Sequence, residues 1–135
     1  MDYENIRIED MDIKPTESEL EILQILWEKQ SCTVRDVHEE LTLNKEAGYT
    51  TTLKLMQIMA EKGLVERDTT NRTHIYKAAV SQQEAQKHYL DKMITNVFGG
   101  SAANLVMQAL GNHQSSKTEI EAIKQYLDQL NNLKK

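Results

Sequence analysis

A chain of 135 residues is about one domain long, enough for one modest core and a helical appendage but not for two independent cores. With one Phe, one Trp, one Pro and five Gly, the core has to be drawn from Leu, Ile, Met and Val on helices, and the single cysteine, Cys32, excludes an intrachain disulfide or a thiolate metal cluster. The net charge of −5 argues against nucleic acid at first sight, while no apolar run approaches the roughly 20 residues of a membrane span. A cytoplasmic protein without cofactor or metal is the expectation, and the acidic start of the chain does not read as a signal peptide.

Residues 1–13 have no hydrophobic period and carry Asp2, Glu4, Glu9, Asp10 and Asp12 against Arg7, a net of −4, so they read as a mobile acidic tail. Pro15-Thr16 then opens a helix, with Thr16 as N-cap and Glu17 and Glu19 in the first turn, where the helix dipole favours acids. Leu20, Leu23 and Trp27, flanked by Ile22, Ile25 and Leu26, make a broad buried stripe through Lys29. After the break Gln30-Ser31-Cys32, Thr33 caps a second helix, with Asp36 completing a capping-box pattern and Val34, Val37 and Leu41 on one face.

A third helix is predicted from about Glu46 to Lys62, stopped by Gly63, with Leu55, Met56 and Met59 buried. Its opposite face presents Thr50, Thr51, Lys54 and Gln57, a hydrogen-bonding surface without carboxylates. Leu64–Asp68 and Thr73–Ala78 alternate as strands do, and 69–72 joins them as a hairpin. Three short helices and a hairpin are the layout of a winged helix-turn-helix, so the fold class expected is mainly α, with residues 14–80 as the winged domain.

Residues 81–135 read as a helical dimerisation region. Ser81-Gln82-Gln83-Glu84 opens a helix to about Phe98, its buried side Ala85, Tyr89, Met93 and Val97. Gly99-Gly100 breaks it, Ser101–Leu110 forms a short helix stopped by Gly111, and Lys117–Leu133 forms the last one. Ile120, Ile123, Leu127 and Leu130 recur at alternating three- and four-residue steps, and with Leu90, Ile94 and Leu105 they give apolar stripes too large for this region to bury alone. A twofold homodimer is the economical solution.

Catalytic signatures are absent. There is no glycine-rich phosphate loop or nucleophile elbow, and His38, His74, His88 and His113 stand at no metal-binding spacing. Glu17, Glu19, Glu21, Glu39 and Glu40 read as solvated helix faces. Residues 44–77, by contrast, carry six basic side chains against four acidic ones, a net of +2. In a helix-turn-helix the recognition helix offers its N-terminal residues to base edges. Thr50, Thr51 and Lys54 sit there, with Tyr49 placed to reach a phosphate and Arg67, Arg72 and His74 in the wing near the neighbouring backbone or minor groove. Double-stranded DNA is therefore the expected partner. Two alternatives stay open: a winged helix used as a protein-interaction module, and a sensor with a ligand pocket lined by Tyr89, Met93 and Phe98.

The stretches Pro15-Thr16-Glu17-Ser18-Glu19-Leu20-Glu21-Ile22-Leu23, Leu26-Trp27, Thr50-Thr51-Thr52-Leu53-Lys54-Leu55-Met56 and Glu61-Lys62-Gly63-Leu64-Val65, in this order and ending at Tyr76, resemble the penicillinase repressor (BlaI/MecI/CopY) family of bacterial winged-helix repressors. The resemblance runs from about Lys14 to Leu133. It implies a homodimer with entwined C-terminal helices on a palindromic operator, recognition contacts from Thr50, Thr51 and Lys54, and genes of β-lactam resistance as targets. It also implies a regulatory protease that cuts an Asn-Phe bond, where this chain has Asn104-Leu105 instead. The cysteine-rich copper motif of one branch has no counterpart here, since Cys32 stands alone.

Overall fold

A computed structural model describes residues 15–134; the acidic stretch 1–13 lies outside them. The elements follow in the order α1 (Glu17–Lys29), α2 (Val34–Leu41), α3 (Tyr49–Lys62), β1 (Val65–Asp68), β2 (Ile75–Ala78), α4 (Gln82–Asn96), α5 (Ala102–Asn112) and α6 (Lys117–Leu133). The chain divides into two compact units, the first ending at Leu90 and the second beginning at Asp91. Helix α4 thus opens in one and closes in the other, whereas the sequence drew the border between residues 80 and 81.

In the first unit, Ile22, Leu23 and Leu26 of α1, Val37 of α2, Met56 and Met59 of α3, Leu64 and Tyr76 form one buried cluster. Each aliphatic side chain removed from water in this way contributes about 1.5–3 kcal/mol. On α1 the centre of the stripe is Ile22, Leu23 and Leu26, while Leu20 and Trp27 pack at its edges. On α3 the buried line is Thr52, Met56 and Met59, so a threonine takes the place expected for Leu55, which is half-buried. Helix α3 starts at Tyr49 rather than Glu46, with Gly48 as N-cap.

Local chemistry fixes where the helices begin and end. Thr16 and Glu19 form a reciprocal capping box at α1, and Thr33 and Asp36 form one at α2. Gln30 ends α1 with φ 72° and ψ −58°, and the Ser31 amide donates to the Lys29 carbonyl at 2.9 Å, a γ-turn with positive φ. This sharp turn delivers Cys32 to the sheet, where Cys32 and Tyr76 exchange backbone hydrogen bonds of 2.9 and 2.7 Å. Gly63 closes α3 in the left-handed conformation, φ 84°, and the Leu64 amide returns to the Met59 carbonyl at 2.9 Å. The hairpin follows at once, antiparallel, with Val65 opposite Ala78 and Arg67 opposite Tyr76.

Glu19 corrects the reading of α1's acids as solvated. It is 1% exposed, and its two carboxylate oxygens accept from Lys62 Nζ at 2.9 and 3.0 Å, while Oε1 also accepts from the Thr16 amide at 2.8 Å. Burial alone would push this carboxyl up, but Lys62 and the Thr16 amide outweigh it and hold its pKa below the ordinary range. The pair ties the start of α1 to the last turn of α3. The first turns of α4 close the same unit: Ala85 is buried, Trp27 Nε1 donates to the Val80 carbonyl at 2.9 Å, and Tyr89 donates to the Pro15 carbonyl at 3.4 Å.

The second unit is built differently. Helices α5 and α6 begin on serine caps, Ser101 and Ser116, but contain no buried residue. Gly99 and Gly100, at φ 59° and 88°, form the break before α5, while Gly111 lies inside that helix instead of stopping it. Of the buried side expected for α4, only Ala85 is buried; Tyr89 is half-buried, Met93 is exposed and Val97 is 70% exposed. Among the described residues no helix is long and apolar enough to cross a membrane.

Candidate nucleic-acid interface

The buried side of α3 determines what the other side presents. With Thr52, Met56 and Met59 facing inward, Thr50, Thr51, Lys54 and Gln57 are all exposed. The face is free of carboxylates only over its first three turns, because exposed Glu61 follows Thr50 by about three turns and lies below it. Polar residues and one cation, Lys54, thus occupy the N-terminal part of the face, and Gly48 supplies no side-chain cap to the first-turn amides. Open amides at a helix start favour an anion.

Three interactions hold this helix in place. Thr52 Oγ1 and His38 Nδ1 lie 2.9 Å apart, joining α3 to α2, and the His38 ring meets Tyr49 edge-on with centroids 5.4 Å apart. The Glu19–Lys62 pair holds the far end. His38 and Thr52 are positioning residues that the sequence gave no reason to join. A polar residue at a core position of α3 and a histidine on α2 facing it are the signal, legible only once both helical phases are known.

The wing places its residues by strand alternation. Arg67 points to one face of β1, and Glu66, on the other, pairs at 3.5 Å with Lys77, its register partner. Asp68 accepts two hydrogen bonds from Thr70, at its amide and its hydroxyl, which fold the turn and hold the Asp68 carboxyl below its ordinary range. Arg67, Arg72, His74 and Tyr49 line one open cleft of about 630 Å³ between the hairpin and α3. Thr50, Thr51 and Lys54 lie on the exposed face of α3 beside it. The residues singled out for dimerisation stand apart from this surface in the chain: Leu90, Ile120, Leu127 and Leu130 are exposed large apolar side chains, and Ile94, Leu105 and Ile123 are half-buried.

Three helices followed by a two-stranded hairpin, with the third helix displaying a polar face beside the hairpin, define the winged-helix class. Residues 15–129 match the family described as penicillinase repressor, and the chain belongs to that family, the BlaI/MecI group of DNA-binding transcriptional repressors, which are not enzymes. It is 25% identical over 111 residues to the methicillin resistance regulatory protein MecI of Staphylococcus aureus strain N315, covering 82% of this chain and 90% of that one. It is 22% identical over 120 residues to the penicillinase repressor of Bacillus licheniformis, covering 89% and 94%. Among solved structures, the C30AH42A mutant of Lactococcus lactis ZitR superposes with a TM-score of 0.47 at 20% identity, over 99% of this chain and 86% of that one.

Proposed function

We propose that this repressor acts in the cytoplasm as a homodimer on a palindromic operator, each protomer laying α3 into the major groove. Thr50, Thr51 and Lys54 read base edges: threonine offers a hydroxyl and a methyl, and lysine reaches guanine acceptors. Tyr49, Arg67, Arg72 and His74 meet the flanking backbone or the adjacent minor groove. The observation that carries this reading is the exposed stripe of Thr50, Thr51 and Lys54 on a helix whose opposite side is locked into the core. Genes of β-lactam resistance are the proposed targets, since relatives at about a quarter identity are named methicillin resistance regulatory protein and penicillinase repressor. A regulatory protease acting on the second unit would have to accept a site other than Asn-Phe.

Titrating the protein onto the promoter of its own gene and onto random duplex, over a range of salt, tests the reading. Selective binding at two chains per site, weakening steeply with salt, supports it; equal and feeble binding to promoter and random duplex counts against it. Lys54→Ala sharpens the assignment. A base-reading Lys54 costs about 1–3 kcal/mol and relaxes discrimination at one position. No change in affinity or selectivity would remove α3 from the groove.

A further inference from the structure

Although the chain has a net charge of −5, no carboxylate is among the residues that line the cleft between hairpin and α3. Its third wall is the start of α2, where Arg35 stands with Arg67, Arg72 and His74 around the rim. The acids nearest in sequence are engaged elsewhere. Asp36 accepts from the Thr33 amide at 3.0 Å, Glu66 pairs with Lys77, and Asp68 is folded onto Thr70. Among the described residues none of the three arginines takes part in an ion pair. Among the described residues their guanidinium donors thus have no carboxylate partner, and all three line a common opening.

Arginine forks match the oxygens of a phosphodiester in pairs, which an ammonium does not. The cleft, at about 630 Å³, is far larger than one free anion needs and opens to solvent, so it can admit part of a polymer backbone. We infer that Arg35 is a DNA-contacting residue, gripping a backbone phosphate of the operator from the α2 side while Arg67 and Arg72 approach it from the wing. This rests on the DNA-binding reading above and adds to it a contact outside both α3 and the wing. Its consequence is mechanical: one strand is held simultaneously by α2 and by the hairpin, so that α3 enters the groove at a fixed angle.

The test compares wild type, Arg35→Gln and Arg35→Lys on the promoter duplex across salt, with thermal melting as a check on folding. Arg35 is exposed on the first turn of α2, so each variant is expected to melt as wild type does. For Arg35→Gln the slope of log affinity against log salt should fall by about 0.9 for each Arg35 that meets a phosphate, while the preference for promoter over random duplex stays unchanged. Arg35→Lys should keep the slope and lose only part of the affinity. A scan of single methylphosphonate linkages then locates the contact: one position weakens wild type at least about tenfold and leaves Arg35→Gln indifferent. Promoter binding by wild type with an unaltered slope in Arg35→Gln would overturn the inference alone. Absence of salt-dependent binding by wild type would overturn it together with the reading beneath it.

Discussion

Helix α6 is a turn longer than α1 and similar in apolar content, yet α1 buries five of its 13 residues and α6 buries none of its 17. Both have a serine- or threonine-capped start, and both carry an apolar stripe with helical spacing. What separates them is the presence of partners: α1 meets α2, α3 and β2, whereas the stripe of α6, with Leu127 at 54% exposure, faces water in a single chain. Periodicity thus specifies which face of a helix wants burial and leaves open what covers it. The first unit closes its core within one chain; the second leaves its apolar stripes exposed, and the proposed homodimer would cover them.

The largest expected effect breaks the second half of that comparison. Leu127→Glu with Leu130→Glu should turn a dimer into a monomer in sedimentation and lower promoter affinity by about 10²–10⁴-fold, since two linked recognition helices become one. The first unit should still melt as in wild type. A dimer that persists unchanged would refute the seam on α6.

A smaller effect probes the first half. Glu19→Ala leaves Lys62 without its carboxylate and should destabilise the winged unit by about 3 kcal/mol, at the low end for a broken buried pair because the Lys62 side chain is 21% exposed. The accompanying pH dependence has a definite sign. Glu19 has a depressed pKa in the fold, so its contribution is present above the ordinary glutamate pKa and is lost as the pH falls through the lowered one. Acid titration of wild type should show this loss, and Glu19→Ala should lack it. Equal stability of the two proteins at neutral pH would show that the pair is not what joins α1 to α3.

The smallest effect concerns alignment. His38→Ala should cost about 1 kcal/mol of stability, because the Thr52 hydroxyl keeps the Gly48 carbonyl, at 3.4 Å, as a hydrogen-bond acceptor. Operator selectivity should fall along with stability, since the start of α3 is no longer held against α2. Reduced stability with selectivity intact would confine His38 to the fold.

How much of this was legible beforehand follows from the range of each interaction. The two N-caps, Thr16 and Thr33, and the stop at Gly63 are local and were read from a few neighbouring residues. The exposed face of α3 was read from its period. The burial of Glu19 was not, because its partner lies 43 residues away and an acid in a first helical turn looks the same whether solvated or paired. Thr52 was missed for a related reason: its hydroxyl is tolerable in the core only because His38, on another helix, meets it. The proposed contact at Arg35 has no sequence signal, because Arg35 belongs to neither α3 nor the wing and shares the cleft with them only in the fold. On α4, apolar spacing suggested one continuous buried side, and only its first turns found the core.

Trp27 is the one tryptophan of the chain, and its indole nitrogen is bonded to Val80 where the hairpin returns to α4. The protein therefore carries its one indole on the winged unit, whereas α6 carries only a tyrosine, Tyr126. Excited apart from the tyrosines, its emission will follow the opening of that core selectively, so unfolding of the winged unit can be tracked without a label.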